Sequence, residues 1–136
     1  QGYGRRNSYT MQAIMSVIRT TGAVNKHVIF IAHEDVPKQD ELTGAMMVSI
    51  LVGGKMQSEI PIKLSEVWHL QDTGKKRLIA IRSSRLRKPM KSRMFETSGN
   101  SEFTWNFDPE SWEGAGIEDW YITWVENEGR KIPLPK

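Results

Sequence analysis

The sequence predicts an α/β fold in which a parallel sheet is extended by an antiparallel hairpin. Three observations predict it. The run His27-Val28-Ile29-Phe30-Ile31-Ala32-His33 is uninterruptedly apolar and β-branched in its middle, as a strand buried on both faces reads. An amphipathic helix precedes it, and helix followed by buried strand is the repeating unit of a parallel sheet. Further along, two strand-like segments flank Asp72-Thr73-Gly74-Lys75, the signature of a hairpin.

Residues 1–7 read as a loop, and Ser8 is placed to cap a helix over Tyr9 to Thr20. Met11, Ile14, Met15 and Ile18 fall on one face of that helix, and Gly22 is placed to end it. The strand at 28–32 follows. Residues 34–44 are polar and contain Pro37 and Gly44, which makes them a long loop at the strand's carboxyl end. Met46 to Val52 is a second candidate strand, Gly53-Gly54-Lys55 a turn, and Lys55 to Leu64 a short helix interrupted near its end by Pro61. Glu66 to Gln71 and Arg77 to Arg82 are the hairpin partners, and Ser83 to Arg93 is a basic loop. In Ile117 to Val125, the residues Ile117, Trp120, Tyr121 and Trp124 stand at helical spacing, a core-packing stripe or a docking face. The division is into residues 1–95 and an acidic, Trp-containing C-terminal tail, residues 96–136.

Composition narrows the function. The 136 residues hold no cysteine, so disulfides and thiolate metal sites are excluded. No run has the length of a membrane span and residues 1–10 lack the apolar centre of a signal peptide, so the expected location is the cytoplasm, with no membrane partner. The net charge is only +3, yet its distribution is uneven. Lys75 to Arg93 contains nine basic residues and no acid; Glu96 to Glu128 contains nine acids and no Lys or Arg. Such segregation marks either a polyanion-binding segment followed by an acidic tail or two stretches that neutralise one another.

Several chemistries lack their residues. His27, His33 and His69 form no metal-ligand spacing, so no metal site is expected. There is no GxSxG elbow and no GxxxxGK[ST] phosphate loop. What remains is the strand tip. Ligands of open α/β sheets sit beyond the carboxyl ends of strands, where His33, Glu34 and Asp35 stand. There His33 suits a phosphate sensor, donating a hydrogen bond to a γ-phosphate or an attacking water, or else it caps the strand through its backbone. Arg82 and Arg85 leave the hairpin together and fit phosphate-binding fingers acting across a subunit interface, or a solvated basic edge. Arg87, Lys88, Lys91 and Arg93 are placed to contact a nucleic-acid backbone, without the interleaved aromatics that base stacking needs.

The order of these features resembles a known family. An amphipathic helix from Tyr9 is followed by Asn25-Lys26-His27-Val-Ile-Phe-Ile-Ala-His33-Glu34, then a polar loop, Gly53-Gly54-Lys55, Glu59-Ile-Pro61, Val67-Trp-His-Leu and Arg77-Leu-Ile-Ala-Ile-Arg82. Over residues 8–95 this is similar to the C-terminal half of phage RecA-like nucleotide-binding proteins, P-loop ATPases encoded beside phage recombination and replication genes. The resemblance implies a partial RecA-like P-loop core, ATP with Mg2+ as cofactors, assembly of copies into a ring or filament, and single-stranded DNA as partner. It implies that His33 is the γ-phosphate sensor and that Glu34 lies near the magnesium-bound water. Arg82 or Arg85 would be the finger offered to a neighbouring subunit, and the 35–45 loop, with Lys38, would face DNA. The Walker segments are expected N-terminal to Gln1, so ATPase activity requires them and this chain is not an enzyme by itself.

The alternative reading is a stand-alone, non-enzymatic nucleic-acid-binding or assembly module that uses the basic segment 75–93. In either case the 96–136 tail is a candidate dock for a protein partner.

Overall fold

The computed structural model describes residues 2–39, 41–42, 44, 46–47, 50–52, 55–83, 90–97 and 102–136. Asp40, the Gly53-Gly54 turn and residues 84–89, with Arg85, Arg87 and Lys88, lie outside them. Eight elements follow in order: helix α1 (Gly2–Ala23), strands β1 (Lys38–Gln39) and β2 (Met46–Met47), helix α2 (Met56–Lys63), strands β3 (His69–Asp72), β4 (Arg77–Ala80) and β5 (Glu102–Thr104), and helix α3 (Ile117–Glu126). Among them no helix is long and apolar enough to cross a membrane.

The fold is mixed α/β, as expected, but its ladders are antiparallel. One sheet has the order β3-β4-β5 and a two-stranded ribbon joins β1 to β2. The expected hairpin is present: His69 pairs with Ala80 and Asp72 with Arg77. Its turn is built from side chains that replace backbone partners. The Asp72 carboxylate accepts from Gly74 N at 2.7 Å, and Thr73 Oγ1 accepts from Lys76 N at 3.1 Å while the hydroxyl donates to Lys76 O. Gly74 takes φ +78°, a conformation that a Cβ penalises.

A parallel sheet is not among the described elements. Parallel character is limited to the isolated bridge between Phe95 and Ile132. Val28–Ala32 belongs to no helix or strand, and no described residue pairs with its backbone. The apolar run identifies a segment that suits a two-sided burial; it cannot supply the neighbouring strands.

Helix α1 begins seven residues before the expected start and passes through Ser8 without using it as a cap. Gly2 and Gly4 lower helix propensity but, unlike Pro, remove no donor. Its end is set by Asn25, not Gly22. Asn25 takes φ 52°, and Asn25 N and Lys26 N donate back to Gly22 O at 3.3 Å and Thr21 O at 2.8 Å, a Schellman closure. Asn adopts the left-handed conformation more readily than most residues, which explains the choice. The 34–44 stretch, expected as a loop, contributes β1 to the ribbon. Lys38 pairs with Met47 and Glu34 with Ile50, so four steps on one arm face three on the other.

The core gathers on β4. Ile81 and Phe95 are fully buried, with Ile79, Met94, Phe103, Trp120 and Ile132 around them and Trp68, Trp105, Tyr121, Trp124 and Leu134 against the outside. Trp120 meets Phe95 at 73° and Phe103 at 90°, with centroids 5.8 and 5.4 Å apart. Edge-to-face pairs of this kind add about 0.5–1.5 kcal/mol each beyond area burial. The core therefore draws on both sides of residue 95: β5, α3 and Ile132 come from the acidic segment, and the aromatic stripe of α3 is core through Trp120. Asp119 sets the helix start by accepting from Gly116 N at 2.8 Å.

Candidate functional site

The strand tip predicted to carry chemistry is fixed at both ends. At its start the His27 ring stands edge-on to Tyr121 of α3, centroids 4.5 Å apart. At its end Glu34 Oε2 meets Nε2 of His69 on β3 at 2.7 Å. Asp35 ties the same corner to α2: it accepts from Lys38 Nζ at 2.8 Å, from Val36 N at 2.8 Å and from Gln57 Nε2 at 3.1 Å. The hydrogen bond from Lys38, then that from Val36 N, holds the Asp35 carboxyl below the ordinary carboxylate value. Helix α2 supplies Gln57 because its Met56, Ile60 and Pro61 face inward. That burial turns the neighbouring position toward the tip.

These contacts define what each predicted residue can do. His33 is exposed; its carbonyl accepts from Leu51 N at 2.6 Å, and its imidazole has no hydrogen bond with a described residue. Glu34 spends an oxygen on His69. On His69, Nε2 is engaged by Glu34, and Nδ1 is buried with no hydrogen-bond partner among the described residues. Lys38 is bound to Asp35. Arg82 is exposed and reaches Thr97 O at 3.3 Å. Lys91 donates to Ile62 O at 3.2 Å and pairs through its backbone with Val67. The Arg93 side chain is exposed, while its amide donates to Glu66 Oε1 at 2.6 Å. Among the described residues no group of three or more His, Cys, Asp or Glu is placed to hold a metal.

The structure therefore joins Glu34 to Asp35's neighbourhood, with His33 beside them, through partners the sequence analysis did not single out. His69 lies 35 positions from Glu34 and Gln57 lies 22 from Asp35. No local spacing links residues so far apart. Glu66 is a further missed residue: it knots the end of the basic segment by accepting from Arg93 N, Met94 N and Trp68 Nε1.

No family model matches the sequence, and neither a curated protein nor a solved structure matches it.

Proposed function

We propose that residues 8–95 form the C-terminal part of a RecA-like ATP-binding fold that acts on single-stranded DNA. The observation that supports this reading is the strand between its two anchors. Ile29 is 66% exposed and Ile31 95%, although both are typical interior residues. Each forgoes about 1.5–3 kcal/mol of burial in this arrangement. An apolar segment held at both ends, whose backbone no described residue pairs, is suited to the interior of a parallel sheet completed by further strands. The ATP-binding reading supplies them: the P-loop strand and the Walker B strand of the same core.

In that setting the open imidazole of His33 donates to the γ-phosphate side of ATP. Arg82, and Arg85 outside the described residues, serve a neighbouring copy's nucleotide in a ring or filament. Glu34, held by His69, positions the corner rather than binding magnesium directly.

The test is the coding sequence upstream of Gln1 and the protein it encodes. An in-frame GxxxxGK[ST], followed by an apolar strand ending in Asp, is expected. Magnesium-dependent ATP hydrolysis by that protein, lost in His33→Ala with modest loss of nucleotide binding, is the expected behaviour. Absence of the motif overturns the reading; full hydrolysis in the variant overturns the sensor role.

A further inference from the structure

Turn 73–76 of the hairpin and the loop after β5 border an open cleft of about 780 Å³. We propose that this cleft is a subsite for an unpaired nucleobase of single-stranded nucleic acid, with the flanking phosphates on Lys75 and Lys76. The inference rests on the single-stranded DNA part of the proposed function and uses no residue of the 28–35 segment.

Trp105 and Phe107 line the cleft, and Trp112 stands at its border, next to the lining residues Phe107 and Glu113. Trp105 and Phe107 are stacked at 16°, centroids 5.7 Å apart, and Trp112 stands edge-on to Phe107 at 5.9 Å. Trp112 is 79% exposed, so an indole face is free for a flat ligand. Base–aromatic stacking strengthens binding roughly 5- to 150-fold per base.

The loop holds this ring in place before any ligand arrives. Asp108 accepts from Glu110 N at 2.9 Å and from Ser111 Oγ at 2.8 Å, and Asp108 N donates to Glu113 O at 2.8 Å. Trp112 itself takes φ 60°, a conformation that is costly for a bulky residue and is maintained only by surrounding bonds. A platform already ordered spares the complex the entropy of ordering it.

Lys75 and Lys76 also line the cleft. Neither Lys75 nor Lys76 makes an ion pair with a described residue, whereas Arg77 is spent on Phe107 O at 2.7 Å. Three acids also line the cleft, so its formal charge is balanced. Two of them are committed locally: Asp72 to Gly74 N and, at 3.8 Å, to Arg77, and Asp108 to its own loop. Attraction thus comes from two placed ammonium groups rather than from bulk charge. Two phosphate contacts on a single strand give a salt slope of about −1.4 in log–log form. The lysines favour a polyanion over a proline-rich peptide, the other ligand that aromatic walls accept.

The full chain should be titrated, without ATP, with short oligothymidylate, with an abasic oligomer of equal length and with a polyproline peptide. Oligothymidylate is expected to bind at least about fivefold more tightly than the abasic strand. Trp112→Ala should remove that preference and Trp112→Phe should retain most of it. Lys75→Ala combined with Lys76→Ala should weaken binding and flatten the salt dependence. Because Trp112 and both lysines are exposed, circular dichroism of these variants should match the parent. Equal affinity for the abasic strand, an unchanged Trp112→Ala variant, or preferential binding of the peptide overturns the proposal. A P-loop protein that hydrolyses ATP, but whose oligothymidylate binding is unchanged by Trp112→Ala, overturns this subsite and leaves the ATP-binding reading standing.

Discussion

Glu34 Oε2 and His69 Nε2 meet at 2.7 Å across 35 residues of sequence, and this one contact joins the apolar strand to the three-stranded sheet. Two backbone groups depend on the same corner: the His33 carbonyl and the Leu51 amide, 2.6 Å apart. Glu34→Ala should free both. The expected cost is about 1 kcal/mol, in the range of a partly exposed charge-assisted hydrogen bond. Amide hydrogen exchange at Leu51 should then accelerate roughly fivefold, with the β3–β4 amides unchanged.

Phe95 is the keystone of the core, touching Trp68, Phe103 and Trp120 with no exposed surface. Phe95→Ala should destabilise by about 3–5 kcal/mol, through lost transfer energy and the cavity left behind. That is a large part of the stability of a small domain, so a urea melt should show a strongly lowered midpoint or no cooperative transition.

Asp35 and Asp108 both titrate below the ordinary carboxylate range. For Asp35 the leading cause is the Lys38 hydrogen bond, and for Asp108 it is the Glu110 amide. A folded pKa below the unfolded one means that the unfolded chain binds more protons, so stability rises with pH through this range. The contribution is present above about pH 4 and is lost as pH falls through the folded values. Asp35→Asn should therefore shrink the drop in urea midpoint between about pH 5 and pH 2.5, relative to the parent.

Gly114 allows no side chain. Its φ is +104°, and an added Cβ would stand 2.0 Å from Asn106 O, a backbone atom that cannot turn aside. Gly114→Ala should cost at least about 2 kcal/mol or open the loop. The signature is a shift of tryptophan emission, because Trp112 sits two residues away.

Helix α3 ends on Glu128 at φ 58°, with Gly129 N donating to Trp124 O at 3.0 Å, where a glycine is the usual residue. Glu128→Gly should raise stability by about 0.5–1 kcal/mol, the relief of the left-handed strain less the entropy that glycine adds to the unfolded chain. The lost partner, Arg130, forms a fully exposed pair and changes little.

What could be read in advance followed from local chemistry. The β3–β4 hairpin was legible because alternation and a Gly-containing turn encode it within a dozen residues. The inward face of α3 was legible because Ile117, Trp120, Tyr121 and Trp124 recur at helical spacing, and the three aromatics pack on the core. The limits were equally physical. Val28–Ala32 announces a buried strand, but burial depends on neighbours that no periodicity names. The Glu34–His69 contact and the cleft that Lys75 and Lys76 share with Trp105 and Phe107 join distant segments, and only the path of the chain brings them together. The end of α1 depended on Asn25 taking a role that Gly22 seemed placed to fill.

The bridge between Phe95 and Ile132 has a consequence for how the molecule is made. Ile132 N donates to Met94 O and Glu96 N to Ile132 O, so a residue 37 positions after Phe95 closes the layer over it. A ribosome delivers residue 132 well after the hairpin. Until it emerges, the hairpin and its aromatic neighbours form an open half-shell whose most buried ring still faces water. A chain cut short before residue 132 leaves its central phenylalanine uncovered.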